Sequence, residues 1–264
     1  MKNSPWVLIE GDGPIIAAAN HHGHELRDDV AALTALTEAE RLREEDPHTG
    51  DWTAVAPTRI VARRSRFEVD LNRPRVQAVY RTPADAWGLN LWKEPLPAAV
   101  VVKSLEEYDA FYAELLRVFS SRAERYGKFI VLDLHSYNHR RDGPDSAPAD
   151  PAGNPEVNIG TGTMDRKKWS PIVDRFLADL RAFDFMGRHL DVRENVRFRG
   201  RGFPQWTHAT FPDTGCVLAV EFKKFFMDEW TGVLDRQKHD AIRRALEFAA
   251  TGIIEELEKQ GVHV

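Results

Sequence analysis

A single cysteine, Cys216, stands among 264 residues. It excludes an intrachain disulfide and any cysteine-rich zinc site, and it fits a reducing compartment. No run approaches the roughly 18 apolar residues of a membrane-spanning helix, and the opening MKNSPWVLIEGDG lacks the apolar core of a secretory leader. A basic excess is missing too. With 36 Lys and Arg against 41 Asp and Glu, the net charge is -5, so no broad cationic surface stands ready to neutralise phosphates and a nucleic-acid partner is disfavoured. Internal repeats and convincing linkers are also lacking. The expectation is a soluble cytoplasmic protein of one domain, residues 1–264, monomeric or a small homo-oligomer, with no membrane partner. Its 42% apolar and 29% charged residues are ordinary for a globular chain able to bury a substantial core.

What is present is an alternation of short apolar runs and long amphipathic patterns. Strands are expected at 6–9, 14–19, 57–62, 66–71, 129–135 and 217–222, each rich in branched or aromatic residues and bounded by Gly, Pro or polar residues. Helices are expected at about 33–46, 104–126, 169–182 and 235–260, the second opening on a Ser104-x-x-Glu107 capping box. Such mixing predicts an α/β fold, a single three-layer domain with a mixed central sheet flanked by helices. The polar stretch 137–156, rich in Pro, Gly and Asp, reads as a long surface loop.

Four apolar runs deliver polar groups at their carboxyl ends: 20-NHHGHE-25, 70-DLNR-73, 133-DLHSY-137 and 220-VEF-222. Ligand sites of open α/β sheets lie beyond those ends, so four such runs point to one shared site. In the first, His22 and Glu25 stand three apart. On a turn after a strand, one imidazole nitrogen and one carboxylate oxygen at that spacing reach a single ion. His135 is the natural third ligand, and two histidines, a carboxylate and an open position make a catalytic zinc site. His-x-x-Glu is a weak signal alone. A solvated loop is its bland alternative, His21 and His24 compete for the role, and a His21/Glu25 pair stays open if the turn is helical.

His135 could equally be a core histidine bonded to a carbonyl. Asp133 two residues earlier argues against that, because a buried acid needs a partner; it faces the site or holds a histidine ring. Asn72 and Arg73, with Arg66 before them, read as an anion clamp for a carboxylate-bearing substrate, against the alternative of a basic surface patch. Glu221, if not on a solvent face, is a carboxylate placed to take a proton from metal-activated water. The interleaved segment 195–215 reads as a loop over the pocket, with Arg197, Arg199 and Arg201 as further anion contacts.

Taken in order, these motifs resemble the zinc carboxypeptidase-like hydrolases (phosphorylase/hydrolase-like fold). The phrases 68-EVDLNRP-74, 132-LDLHSY-137, 156-EVNIGT-161 and 221-EFKKFFMDEWTG-232 resemble the N-formylglutamate amidohydrolase family within them. The resemblance implies one zinc ion on His22, Glu25 and His135, a substrate carboxylate on Asn72 and Arg73, and Glu221 as general base. One departure stands out. That family's first motif usually reads Pro-His-Ser-Gly or similar, whereas 20-NHHGHE-25 is more like the aspartoacylase and succinylglutamate desuccinylase branch. The acyl group, and the choice between His21 and His22, stay open.

The expected activity is hydrolysis of a small N-acylated, carboxylate-bearing amino acid, N-formyl-L-glutamate first, to formate and glutamate. Arg66 or Arg73 would stabilise the oxyanion and the other arginines, Arg199 and Arg201 among them, the substrate carboxylates. An aspartoacylase or desuccinylase-like deacylase, a carboxypeptidase-like metallopeptidase and a non-catalytic metal- or ligand-binding protein are the alternatives.

Overall fold

The computed structural model describes residues 4–263. Strands β1 (Trp6–Ile9), β2 (Ile15–Ala19), β3 (Thr58–Ala62), β4 (Phe129–Tyr137), β5 (Val157–Gly160), β6 (Val192–Glu194) and β7 (Gly215–Lys223) form one seven-stranded sheet, ordered β1-β3-β2-β4-β7-β5-β6. Its centre, β3-β2-β4-β7, is parallel; β1 runs antiparallel to β3, and β5 antiparallel to β7 with β6 parallel beside it. Every residue of β2 and β4 is buried, as continuous apolar runs covered on both faces should be.

Helices α1 (Asp28–Leu33), α2 (Glu38–Glu44), α3 (Thr49–Trp52), α4 (Ala98–Tyr126), α5 (Ser170–Ala182), α6 (Phe203–Thr210) and α7 (Arg236–Lys259) surround the sheet. Alternate residues of β4 face opposite layers. Ile130, Leu132 and Leu134 pack with Phe176 of α5 and Ile242 and Leu246 of α7. Phe129 and Val131 pack with Leu115 and Phe119 of α4 and Phe203 of α6. Each fully buried phenylalanine contributes roughly 1.5–3 kcal/mol, and the two layers leave the carboxyl ends of the parallel strands free to form a site.

Four expectations are corrected. The stretch 66–71 is a turn rather than a strand, because Arg64 pairs with Glu68 and Arg66 with Asp70 at a spacing of four, which an extended chain cannot bring together. The helix expected over 33–46 is the shorter α2, because Thr37 caps it reciprocally with Glu40; α1 ends where the expected helix begins. The long helix α4 begins at Ala98, just after Pro97. Ser104 and Glu107 are therefore inside it and accept hydrogen bonds from the Arg27 guanidinium at 3.1 and 3.0 Å instead of capping. Finally, the segment 195–215 holds α6, and β5 and β6 escaped the sequence reading because they are only four and three residues long.

Candidate active site

The parallel strands β2, β4 and β7 end side by side. In register Ala18 sits beside Asp133, and His135 beside Glu221. Residues two apart share a face, so Asp133 and His135 continue the row begun by Phe129 and Val131. Past the apolar cover of that row, polar side chains take over.

Three buried groups, His21, Asp46 and His135, bring one ligand atom each within 4.8 Å of one another. Asp46 follows α2 and is docked by its backbone N–H on the His21 carbonyl at 2.9 Å. Its Oδ2 lies 2.8 Å from His135 Nδ1 and 3.5 Å from His21 Nδ1. The opposite ring nitrogens face other carboxylates: His21 Nε2 is 2.7 Å from Asp70 Oδ1, and His135 Nε2 is 3.0 Å from Asp133 Oδ1. Histidines that hold a metal take this form, the outer nitrogen tied to a carboxylate and the inner one turned to the ion. Asp70 is fixed in turn by Arg66 at 2.8 Å and by the Tyr80 hydroxyl. Asn20 donates to Asp133 at 3.1 Å.

The electrostatics favour a cation there. Burial opposes a charged imidazole, yet the Asp133 and Glu221 carboxylates and the bond to Asp46 outweigh it and hold His135 well above its usual pKa. Burial likewise opposes the Asp46 and Asp70 carboxylates, but His135 and His21 hold the first, and Arg66 and His21 the second, below the usual range. The donor set therefore fits a divalent ion: two imidazoles and one carboxylate whose surroundings stabilise positive charge.

Above this triangle lies a cavity of about 700 Å³. Glu221 lines it, and burial, with the Asp46 and Asp133 carboxylates acting against His135 and His21, pushes its pKa up to about 7. Asn72 spans two parts of the wall, with Nδ2 3.2 Å from His135 Nε2 and Oδ1 accepting from the Phe203 backbone at 2.9 Å. The Arg66 guanidinium lies 4.9 Å from the Trp87 ring, and Arg73 lies 4.4 Å from that of Tyr80. Arg199 and Arg201 line the cavity as well. Lys224 closes the floor. It is buried, and its Nζ donates to the carbonyls of Arg43 at 2.6 Å and Glu45 at 2.8 Å, on the segment that carries Asp46.

Of the expected set His22, Glu25 and His135, only His135 joins the triangle, and His21, the alternative left open beside His22, takes a second corner. The His22 ring turns away to Gly50, whose backbone N–H donates to its Nδ1 at 3.2 Å, and Glu25 is exposed with its backbone tied to Arg63. His24 is engaged by Glu45 at 2.5 Å. Asn72, Arg73, Arg66, Arg199, Arg201 and Glu221 do share one cavity wall. Sequence reasoning missed Asp46, and left Asp70 and Lys224 without a part. The cue was Glu44-Glu45-Asp46-Pro47, three acids closing a helix before a proline, which reads as a solvated helix end.

A model of the N-formylglutamate amidohydrolase family matches residues 13–226, a span containing every wall residue named above. Among solved structures, an N-formylglutamate amidohydrolase from Ralstonia eutropha JMP134 is similar with a TM-score of 0.76 and 18% identity, covering 97% of this chain and 99% of that one. A gene product of Agrobacterium tumefaciens is similar with a TM-score of 0.69 and 16% identity, covering 97% of each chain. At such identities the likeness is one of fold. No curated protein matches. No helix among the described residues is long and apolar enough to cross a membrane.

Proposed function

The chain belongs to the N-formylglutamate amidohydrolase family, and from that premise of amide hydrolysis we propose a zinc-dependent hydrolase of small N-acylated acidic amino acids, N-formyl-L-glutamate first. The observation that carries this reading is the convergence of the Nδ1 atoms of His21 and His135 on Asp46 Oδ2, each ring held from behind by a carboxylate. His21, Asp46 and His135 would hold the ion, in place of His22 and Glu25. Zinc suits a set of two nitrogens and one oxygen with an open position.

When bound, such an ion supplies an activated water near neutral pH and polarises the amide carbonyl. Glu221 would accept a proton from the attacking water as a general base; a carboxylate with a pKa pushed up to about 7 is matched to that task. As the carbon–nitrogen bond breaks, Glu221 returns the proton to the leaving amine, giving formate and the free amino acid. Arg66, held by Asp70, stands as the donor for the developing oxyanion. Asn72 with Arg73 receives one substrate carboxylate and Arg199 the other, for which planar guanidinium groups are suited.

The test is metal content together with formate release from N-formyl-L-glutamate. We expect about one zinc per chain and turnover in the wild type, both lost in Asp46→Ala and His135→Ala and both kept in Glu25→Ala. A chain that takes up no metal even when supplied with zinc would overturn the mechanism. Zinc without formate release would retain the site and redirect the search to other acyl groups.

A further inference from the structure

The cavity holds more positive charge than the proposed substrate needs. Six arginines and one lysine line it, and several are already engaged. Lys224 is taken by two backbone carbonyls, Arg66 by Asp70, and Arg141 by Glu44 at 3.3 Å. Arg73 approaches Asp70 only at 3.6 Å, behind Arg66. Arg197, Arg199 and Arg201 differ from these: their guanidinium groups make no hydrogen bond or ion pair to any acceptor among the described residues. Arg197 is merely steered by the rings of Tyr137 and Phe198, each 5.5 Å away.

The segment carrying these three arginines is not a loose loop. Asn158, buried in β5, accepts from the Arg197 backbone N–H at 2.8 Å and donates to the Phe198 carbonyl at 2.8 Å. Gly162 N–H donates to the Arg199 carbonyl at 2.8 Å, and Thr163 to that of Gly200 at 2.9 Å. Backbone meets backbone so closely that a Cβ on Gly160 would lie 2.6 Å from the Gly200 nitrogen. A fixed backbone that presents three like charges, none of them paired with a carboxylate among the described residues, is preorganised for an anionic ligand.

Two carboxylates of an N-acylated acidic amino acid can be met by Asn72 with Arg73 and by one further arginine, which leaves two guanidinium groups and much of the 700 Å³ unused. We infer that the preferred substrates of this site carry a third carboxylate, received by the Arg197–Arg201 strap, the simplest being an N-formylated acidic dipeptide. The inference rests on the amidohydrolase reading for its reaction, but its charge requirement is separable. The bond broken is the same N-acyl amide, with water as the only co-reactant.

The experiment compares kcat/KM of the zinc-loaded chain for N-formyl-L-glutamyl-L-glutamate and N-formyl-L-glutamyl-L-glutamine, which match in size and differ by one charge. At low ionic strength we expect a preference of about tenfold or more for the first, the scale of one charge-assisted hydrogen bond. The preference should shrink toward one in 0.5 M salt and in the Arg197→Gln/Arg201→Gln double variant, whose thermal midpoint should match the wild type because both side chains are exposed. Equal kcat/KM for the two dipeptides in the wild type would overturn the inference. If neither dipeptide nor N-formyl-L-glutamate releases formate, the deformylase reading fails. Calorimetric binding of the same pair then decides the charge requirement: a tighter Kd for the diglutamate supports it, while equal affinity or no binding sinks it.

Discussion

Asp46 and His135 lie 89 residues apart in the chain and meet through Oδ2 and Nδ1 at 2.8 Å, both buried. Replacing Asp46 with asparagine keeps the volume and removes the negative ligand. The expected outcome is loss of stoichiometric zinc after dialysis and a fall in kcat of at least about a hundredfold, the scale at which even supporting residues of metal sites act. His22→Ala, whose ring lies outside the triangle, should retain the ion. Metal analysis of the two variants side by side checks both statements.

Asp70 acts one step further out, through His21 Nε2 at 2.7 Å. Asp70→Asn leaves the ion's own ligands in place but weakens the hold on the imidazole and leaves Arg66 without its ion pair. Zinc affinity should drop about 10–100-fold, measured by competition with a chelator of known affinity. An unchanged affinity would show that Asp70 serves folding alone.

His208 gives the stability a pH dependence of its own. Buried against β7, its Nε2 accepts the Val217 N–H at 2.9 Å and its Nδ1 lies 2.9 Å from the Thr163 hydroxyl. Burial pushes its pKa down to about 4, against about 6.5 in an unfolded chain. Between those values the unfolded state binds the proton and the folded state does not. This contribution to stability is therefore fully present above pH ~6.5 and is lost progressively as pH falls toward 4, to a total of roughly 3 kcal/mol. Urea denaturation from pH 7.5 to 4.5 should show a shallower decline in His208→Gln than in the wild type.

Gly202 has φ +70°, and a Cβ there would stand 1.7 Å from the Asn72 carbonyl oxygen. Gly202→Ala must push back the turn that carries Asn72 or the strap that carries the arginines. A loss of at least about 2 kcal/mol is expected from the strained backbone and the clash, with a matching fall in Tm by calorimetry. Since Asn72 touches His135, KM and kcat should suffer together.

Cys216 is fully buried at the start of β7, and burial raises its thiol pKa. A thiol reagent such as DTNB should find no reactive group in the native protein and one in 6 M guanidinium chloride. Rapid labelling of the native chain would contradict the packing of the sheet centre.

Much of this architecture is legible in the sequence, for physical reasons. The parallel strands β2, β4 and β7 are apolar runs because both their faces are covered, and His135 and Glu221, two residues before the ends of β4 and β7, stand out as polar groups closing such runs. Asp46 was not legible. Its neighbours Glu44 and Glu45 are also buried; their local partners Arg43 and Arg41 look like ordinary ion pairs of an exposed helix end, and the partners that mark them as buried, such as Ser65 for Glu45, are distant in sequence. The stretch 66–71 misled in the opposite sense. Its alternation imitates a strand, while the spacing of Arg66 and Asp70 serves a turn. Asn158 shows a third case, a polar residue inside a strand four residues long that fixes the arginine strap rather than packing a core.

The segment that supplies Asp46 runs from the end of β2 to the start of β3. Of its first helix, α1, only Val30 is buried, but just beyond Asp46 the same segment drives Trp52 into the core, fully buried and with its ring 5.1 Å from that of Phe222 and 4.9 Å from that of Phe226. One of three ligands therefore rides on a stretch pinned by Lys224 and the His21 carbonyl and, six residues on, by a core tryptophan. Local opening costs least where buried apolar contacts are few, and here they are not few, so a bound ion would exchange slowly. Chelators would strip the metal only as fast as Trp52 leaves its place between the sheet and the last helix.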